Sequence, residues 1–140
     1  MMTWIVAILG VLHLAWGVGA IVAPRWFFDT FPGFGRHWTA AYPPYNEHLM
    51  TDVGAAFLAL GVILLIAAGM RDRKVTNVVL IGLLTFSMAH LVFHSRHPGS
   101  LTGADLAASL VSLALGVVVP AIILIVNAAR GPRRGTAPPP

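Results

Sequence analysis

The chain has 140 residues, 57% of them hydrophobic and only 10% charged. That balance excludes an ordinary soluble domain, whose surface needs many more charged side chains, and the lack of any cysteine excludes disulfides, iron–sulfur clusters and thiolate metal sites. The net charge of +4 comes from Lys and Arg at the ends of apolar stretches rather than from a basic face with a stacking platform, so nucleic acid is excluded as a partner.

Four apolar stretches have the roughly 20 residues needed to cross about 30 Å of hydrocarbon. None alternates with period two, and backbone polar groups in lipid must be satisfied within the segment, so all four are expected to be helices. The expected fold is an all-α, integral membrane four-helix bundle occupying residues 1–130.

The first span covers about residues 2–23. Its start, "MMTW", lacks the charge of a signal peptide, and Pro24 directly follows Ala23, so it reads as a retained helix. His13 lies at mid-span in "LGVLHLAWGVG". The segment "PRWFFDTFPGFGRHWTAAYPPY" follows, crowded with Trp26, Phe27, Phe28, Phe31, Phe34, Trp38 and Tyr42. Pro32, Gly33 and Gly35 break any long helix there. The segment reads either as an anchor in the membrane interface or as a lid folded over the bundle mouth.

The second span, about 45–69, opens with "YNEHLMTDV" and then runs from Gly54 to Gly69 without a charge. Glu47, His48 and Asp52 are therefore ionisable groups where a chain enters oil, and such groups mark a functional site by default. The short turn "MRDRK" leads to the third span, about 75–94. That span ends in "AHLVFHSRH", with His90 and His94 four residues apart. Pro98 and Gly99 terminate it, and His97 there complements a helix end. His37 and His97 are expected to be solvated or interfacial. The fourth span, about 104–129, begins with Thr102-Gly-Ala-Asp105, a pattern that fits a capping box and suits the helix dipole. Pro120 predicts a kink. Gly10, Gly17, Gly54, Gly61, Gly82 and Gly116 are expected to permit close helix approach. Asn77 and Asn127 read as interfacial. The tail 131–140 is basic, rich in proline and expected to be disordered.

Arg71, Arg73 and Lys74 in the short turn, with Arg130, Arg133 and Arg134 in the tail, outnumber the basic residues of the other two loops. The positive-inside rule then puts both termini and the 70–74 turn in the cytoplasm, with the aromatic loop facing outward. The expected location is the bacterial inner (plasma) membrane.

Depth counting at about 1.5 Å per residue brings His48 level with His94, and Asp52 level with His90. Spans joined by a short turn pack antiparallel, so the two pairs are expected to meet in an outward-facing pocket. Glu47, His13 and Asp105 are lesser members of it. Imidazoles and a carboxylate suit a divalent metal, with His48, Asp52, His90 and His94 as ligands. Haem between two histidines is a further option, with His48 and His94 or His13 and His90 as axial partners. The same groups could work without metal, moving protons, binding a lipid or quinone head group, or isomerising a lipid as a small intramembrane enzyme. The remaining alternative is a hydrogen-bond network that fixes packing, in a homo-oligomer or a subunit of a membrane complex.

The polar opening "NEHLMTDVGAAFLALG", the His-bearing "MAHLVFHSRH", the length and the four spans together resemble the small DoxX-like bacterial membrane proteins. The resemblance covers all four spans and carries over no catalytic residue. A weaker similarity, to EXPERA-type four-helix proteins, implies a pocket for an apolar ligand.

Overall fold

A computed structural model describes residues 2–130; the expected disordered tail lies outside the described residues. Four helices are long and apolar enough to cross a membrane: α1 (Thr3–Val22), α3 (Glu47–Met70), α4 (Arg73–Arg96) and α5 (Gly103–Ala129). This is the architecture of a multi-pass membrane protein. Between α1 and α3 lie a short helix α2 (Pro24–Thr30) and a hairpin of β1 (Pro32–Gly33) and β2 (Arg36–His37).

Local sequence explains the boundaries. Pro24 cannot supply the N–H that would continue α1, but its fixed φ suits the first turn of α2. The Asn46 side chain accepts from Leu49 N at 3.1 Å and starts α3. Arg71 ends α3 in the left-handed region, at φ 54°. Asp72 then accepts from Val75 N at 2.9 Å, which starts α4 two residues earlier than the hydropathy alone suggests. Gly33 and Gly35 supply the positive φ of the hairpin, and Phe34, at its tip, is fully exposed.

The long helices associate as two pairs, α1 with α3 and α4 with α5, and contact between α3 and α4 is much slighter. Glycine explains the first pair. A Cβ on Gly17 would lie 2.4 Å from Leu58 N, and one on Gly61 would lie 2.5 Å from Leu14 N. Gly10 and Gly54 are nearly as crowded, so only glycine allows these two backbones to run so close. Gly82 departs from expectation: nothing lies within 4 Å of its Cβ position, so it faces open space rather than a helix.

Two clusters form the core. Val6, Leu64, Leu80, Leu83 and Ile123 draw all four long helices together toward the end that carries the α3–α4 turn, here the turn end. Ala20, Phe27, Phe28 and Met50 bury α2 against α1 and α3 at the opposite, loop end. Asn127 is not interfacial: it is 2% exposed and its Nδ2 donates to Asn77 Oδ1 at 2.8 Å, clasping α5 to α4. Arg73 Nη1 donates to the Asn127 carbonyl at 3.3 Å beside it.

Candidate functional site

His13 is 8% exposed, and its Nδ1–H donates to the Leu9 carbonyl one turn back at 2.8 Å. That bond fixes the tautomer and leaves Nε2 as a free lone pair. From His13 a series of rings crosses the bundle. His13 lies 5.7 Å from Phe57 of α3, which lies 5.7 Å from Phe86 of α4. Phe86 is 5.5 Å from His90, and His90 is 4.6 Å from His94. The series ends at Tyr42 of the loop, where His94 Nδ1 and the phenol oxygen share a hydrogen bond of 2.7 Å. On its other side His13 meets Trp16 at 5.5 Å, and Trp16 meets Phe31 at 5.8 Å. The separations suit offset or edge-to-face packing. His90 is half-buried and makes no hydrogen bond among the described residues.

The loop closes over this end. Asp105, in the first turn of α5, accepts from Arg36 Nη1 and from Trp38 Nε1, the latter at 3.1 Å. The expected capping box does not form, since Thr102 makes no side-chain cap bond. The carboxylate holds the loop instead. A second tie is Ser100 N to the Ala41 carbonyl at 3.1 Å. Gly99 permits that approach: at φ 61°, a Cβ there would meet Ala41 O at 2.4 Å. The loop is thus packed on the α1–α3 pair through Phe27 and Phe28 and bonded to the α4–α5 pair through Arg36, Trp38, Tyr42 and Ala41.

The four-residue set His48, Asp52, His90 and His94 is not brought together. His48 and Asp52 pair with each other at 3.4 Å on an open face of α3, with side chains 88% and 62% exposed. Counting along the helices ignores azimuth, and azimuth decides the contact. His48 is nine residues from Phe57, about 180° around a helix that turns roughly 100° per residue. The face that meets α1 and α4 therefore turns His48 away. Glu47 is exposed in the same first turn. Among the described residues no three His, Cys, Asp or Glu side chains gather so as to hold a metal ion. Two surface hollows, one around Met88 on α4 and one around Trp4 at the turn end, contain none of the histidines.

His37 is exposed and donates Nδ1–H to the Asp29 carbonyl at 2.6 Å. His97 caps α4 by donating to the Phe93 carbonyl at 3.0 Å. Sequence reasoning did not assign a role to Phe57, Phe86 or Tyr42 in the site. Phe86 was findable, because Phe86, His90 and His94 recur every four residues and so share one stripe. Tyr42 carried no such signal, since its partner is 52 positions away.

Comparisons with protein-family models, with curated proteins and with solved structures give no match for this chain.

Proposed function

We propose that this membrane protein holds a small hydrophobic molecule with a flat, hydrogen-bonding head, of the quinone class, between its two helix pairs and beneath the loop. The observation that carries the reading is His90: a half-buried imidazole in a row of rings, with no hydrogen-bond partner of its own among the described residues. A polar group so placed calls for a partner, and a head-group carbonyl supplies one. The Nε2 lone pair of His13 offers a second polar contact, to a donor. Phe57, Phe86 and Trp16 offer faces and edges to a conjugated ring. The loop, packed on α1 and α3 through Phe27 and Phe28 and tied to α4 and α5 by hydrogen bonds, acts as the lid.

The distribution of Lys and Arg supports an inner-membrane orientation with both termini in the cytoplasm and the lid outside. The span count and the His-bearing third span support kinship with the DoxX-like proteins.

A short-chain quinone titrated into protein in lipid nanodiscs tests the reading, with Trp16 fluorescence as readout and Trp16→Phe as the blank. Saturable quenching is expected. His90→Ala should weaken it about 5-fold, the worth of one hydrogen bond, and Asp52→Ala should leave it unchanged. Quenching that never saturates, and is equal in all variants, is partition into lipid and overturns the proposal.

A further inference from the structure

At the turn end, the start of α1 and the end of α3 leave a hollow between them. Leu65 and the buried Ala68 give it an apolar floor, and Thr3, Trp4, Gly69 and Arg71 stand around it. Gly69 keeps it open, since nothing lies within 4 Å of its Cβ position. The 20 residues of α1 cover about 30 Å, the depth of the hydrocarbon, so Thr3 and Trp4 lie at its boundary with the head groups.

Three donors at the hollow have no partner among the described residues: the Thr3 hydroxyl, the Trp4 indole N–H and the Arg71 guanidinium. Arg71 contrasts with Arg25, Arg36 and Arg73, which are bonded to Asp29, Asp105 and the Asn127 carbonyl. Of the five acids in the chain only Asp72 is at this end, and its carboxylate is taken up in starting α4 through Val75 N. The positive end of α1 and the negative end of α3 lie side by side and offset one another. The net charge facing the hollow is therefore that of Arg71.

At this depth the surface is covered by lipid, and the chemistry of the hollow selects which. A phosphate fills the free donors, and the first methylenes of an acyl chain fill the floor. Tryptophan favours the same level. A zwitterionic head brings an ammonium group that Arg71 repels, whereas an anionic head brings none. We propose that the hollow binds one anionic phospholipid, with its phosphate on Arg71, Thr3 and Trp4. The site is independent of the ring series, no member of which lines it.

Trp4 reports occupancy, because brominated acyl chains quench a tryptophan they touch. Its signal is the difference between each protein and the same protein carrying Trp4→Phe. The vesicles are phosphatidylcholine with a minor fraction of brominated phosphatidylglycerol or of brominated phosphatidylcholine. Phosphatidylglycerol is expected to occupy the hollow about 5-fold more readily, the equivalent of about 1 kcal/mol for one cation at a headgroup surface. Arg71→Gln should abolish that preference. Lys74→Gln removes an equal charge from the same turn, but Lys74 does not line the hollow, so the preference should persist. Gly69→Leu puts a side chain into the open space and should lower quenching by phosphatidylglycerol at least 3-fold. Equal quenching by the two lipids in wild type would overturn the proposal. So would equal losses in Arg71→Gln and Lys74→Gln, the mark of diffuse attraction, or an undiminished preference in Gly69→Leu. Loss of the preference on adding millimolar glycerol phosphate would assign the donors to a soluble phosphate and overturn it too.

Discussion

Tyr42 joins the loop to α4 by its bond to His94, and burial raises its phenol pKa above the ordinary value. The proton is therefore kept at neutral pH. Since the folded pKa lies above the unfolded value of about 10, this contribution is complete below pH 10 and is lost as pH rises through the folded value. Tyr42→Phe keeps the ring and removes the bond. It should cost about 1 kcal/mol, read as a fall of a few degrees in the unfolding midpoint in detergent at pH 7. An unchanged midpoint would show that the contact is idle. Asp105 permits a sharper test, because one carboxylate accepts from both Arg36 and Trp38. Asp105→Ala should free the hairpin and speed tryptic cleavage after Arg36 by about tenfold, the equivalent of roughly 1.4 kcal/mol of local opening. Cleavage at the wild-type rate would mean that the loop is held by other contacts.

Glycine decides packing at the scale of the elements. Gly10 and Gly17 of α1 face Gly61 and Gly54 of α3, and a methyl group on Gly17 would strike backbone, which cannot step aside. Gly17→Ala should therefore destabilise the pair by more than the 1–3 kcal/mol typical of overpacking. Gly82→Ala should be neutral or stabilising by up to about 1 kcal/mol, because α4 is open at that point and alanine favours helix. Thermal unfolding of both variants in one detergent checks the contrast, and equal losses would refute the assigned helix pairing. The six sequence positions looked alike, since a glycine in a span announces a possible contact but not which face it occupies. Helix existence was legible from hydropathy, but the starts at Glu47 and Arg73 lie two residues from the expected 45 and 75, because the Asn46 and Asp72 caps and not hydropathy set them. The short α2 and the hairpin were not foreseen, although Pro24, Gly33 and Gly35 stand at their turning points.

For the whole molecule, the same limit divides the candidate residues into two groups. Counting along the chain gives an expected depth, which is what paired His48 with His94 and Asp52 with His90. Angle around α3 depends on which side packs on α1, and that was set by Gly54 and Gly61 rather than by the histidines. His13, His90 and His94 consequently belong to one ring series, while His48 and Asp52 occupy the opposite face of α3. The long-range ties of Asp105 and Tyr42 were beyond any local pattern, with partners 69 and 52 positions away. Orientation has its own check. A reporter active only in the cytoplasm, fused behind Pro140, should be active; activity restricted to a periplasmic reporter would invert the chain and place the lid inside.

The most direct measurement is native mass spectrometry of the protein released from its own membranes, with the bound small molecule weighed on wild type, His90→Ala and Asp52→Ala. One hydrophobic molecule per chain on wild type, clearly depleted in His90→Ala and retained in full by Asp52→Ala, is the expected result. A molecule retained by His90→Ala and lost from Asp52→Ala would contradict it and move the binding site to the open face of α3.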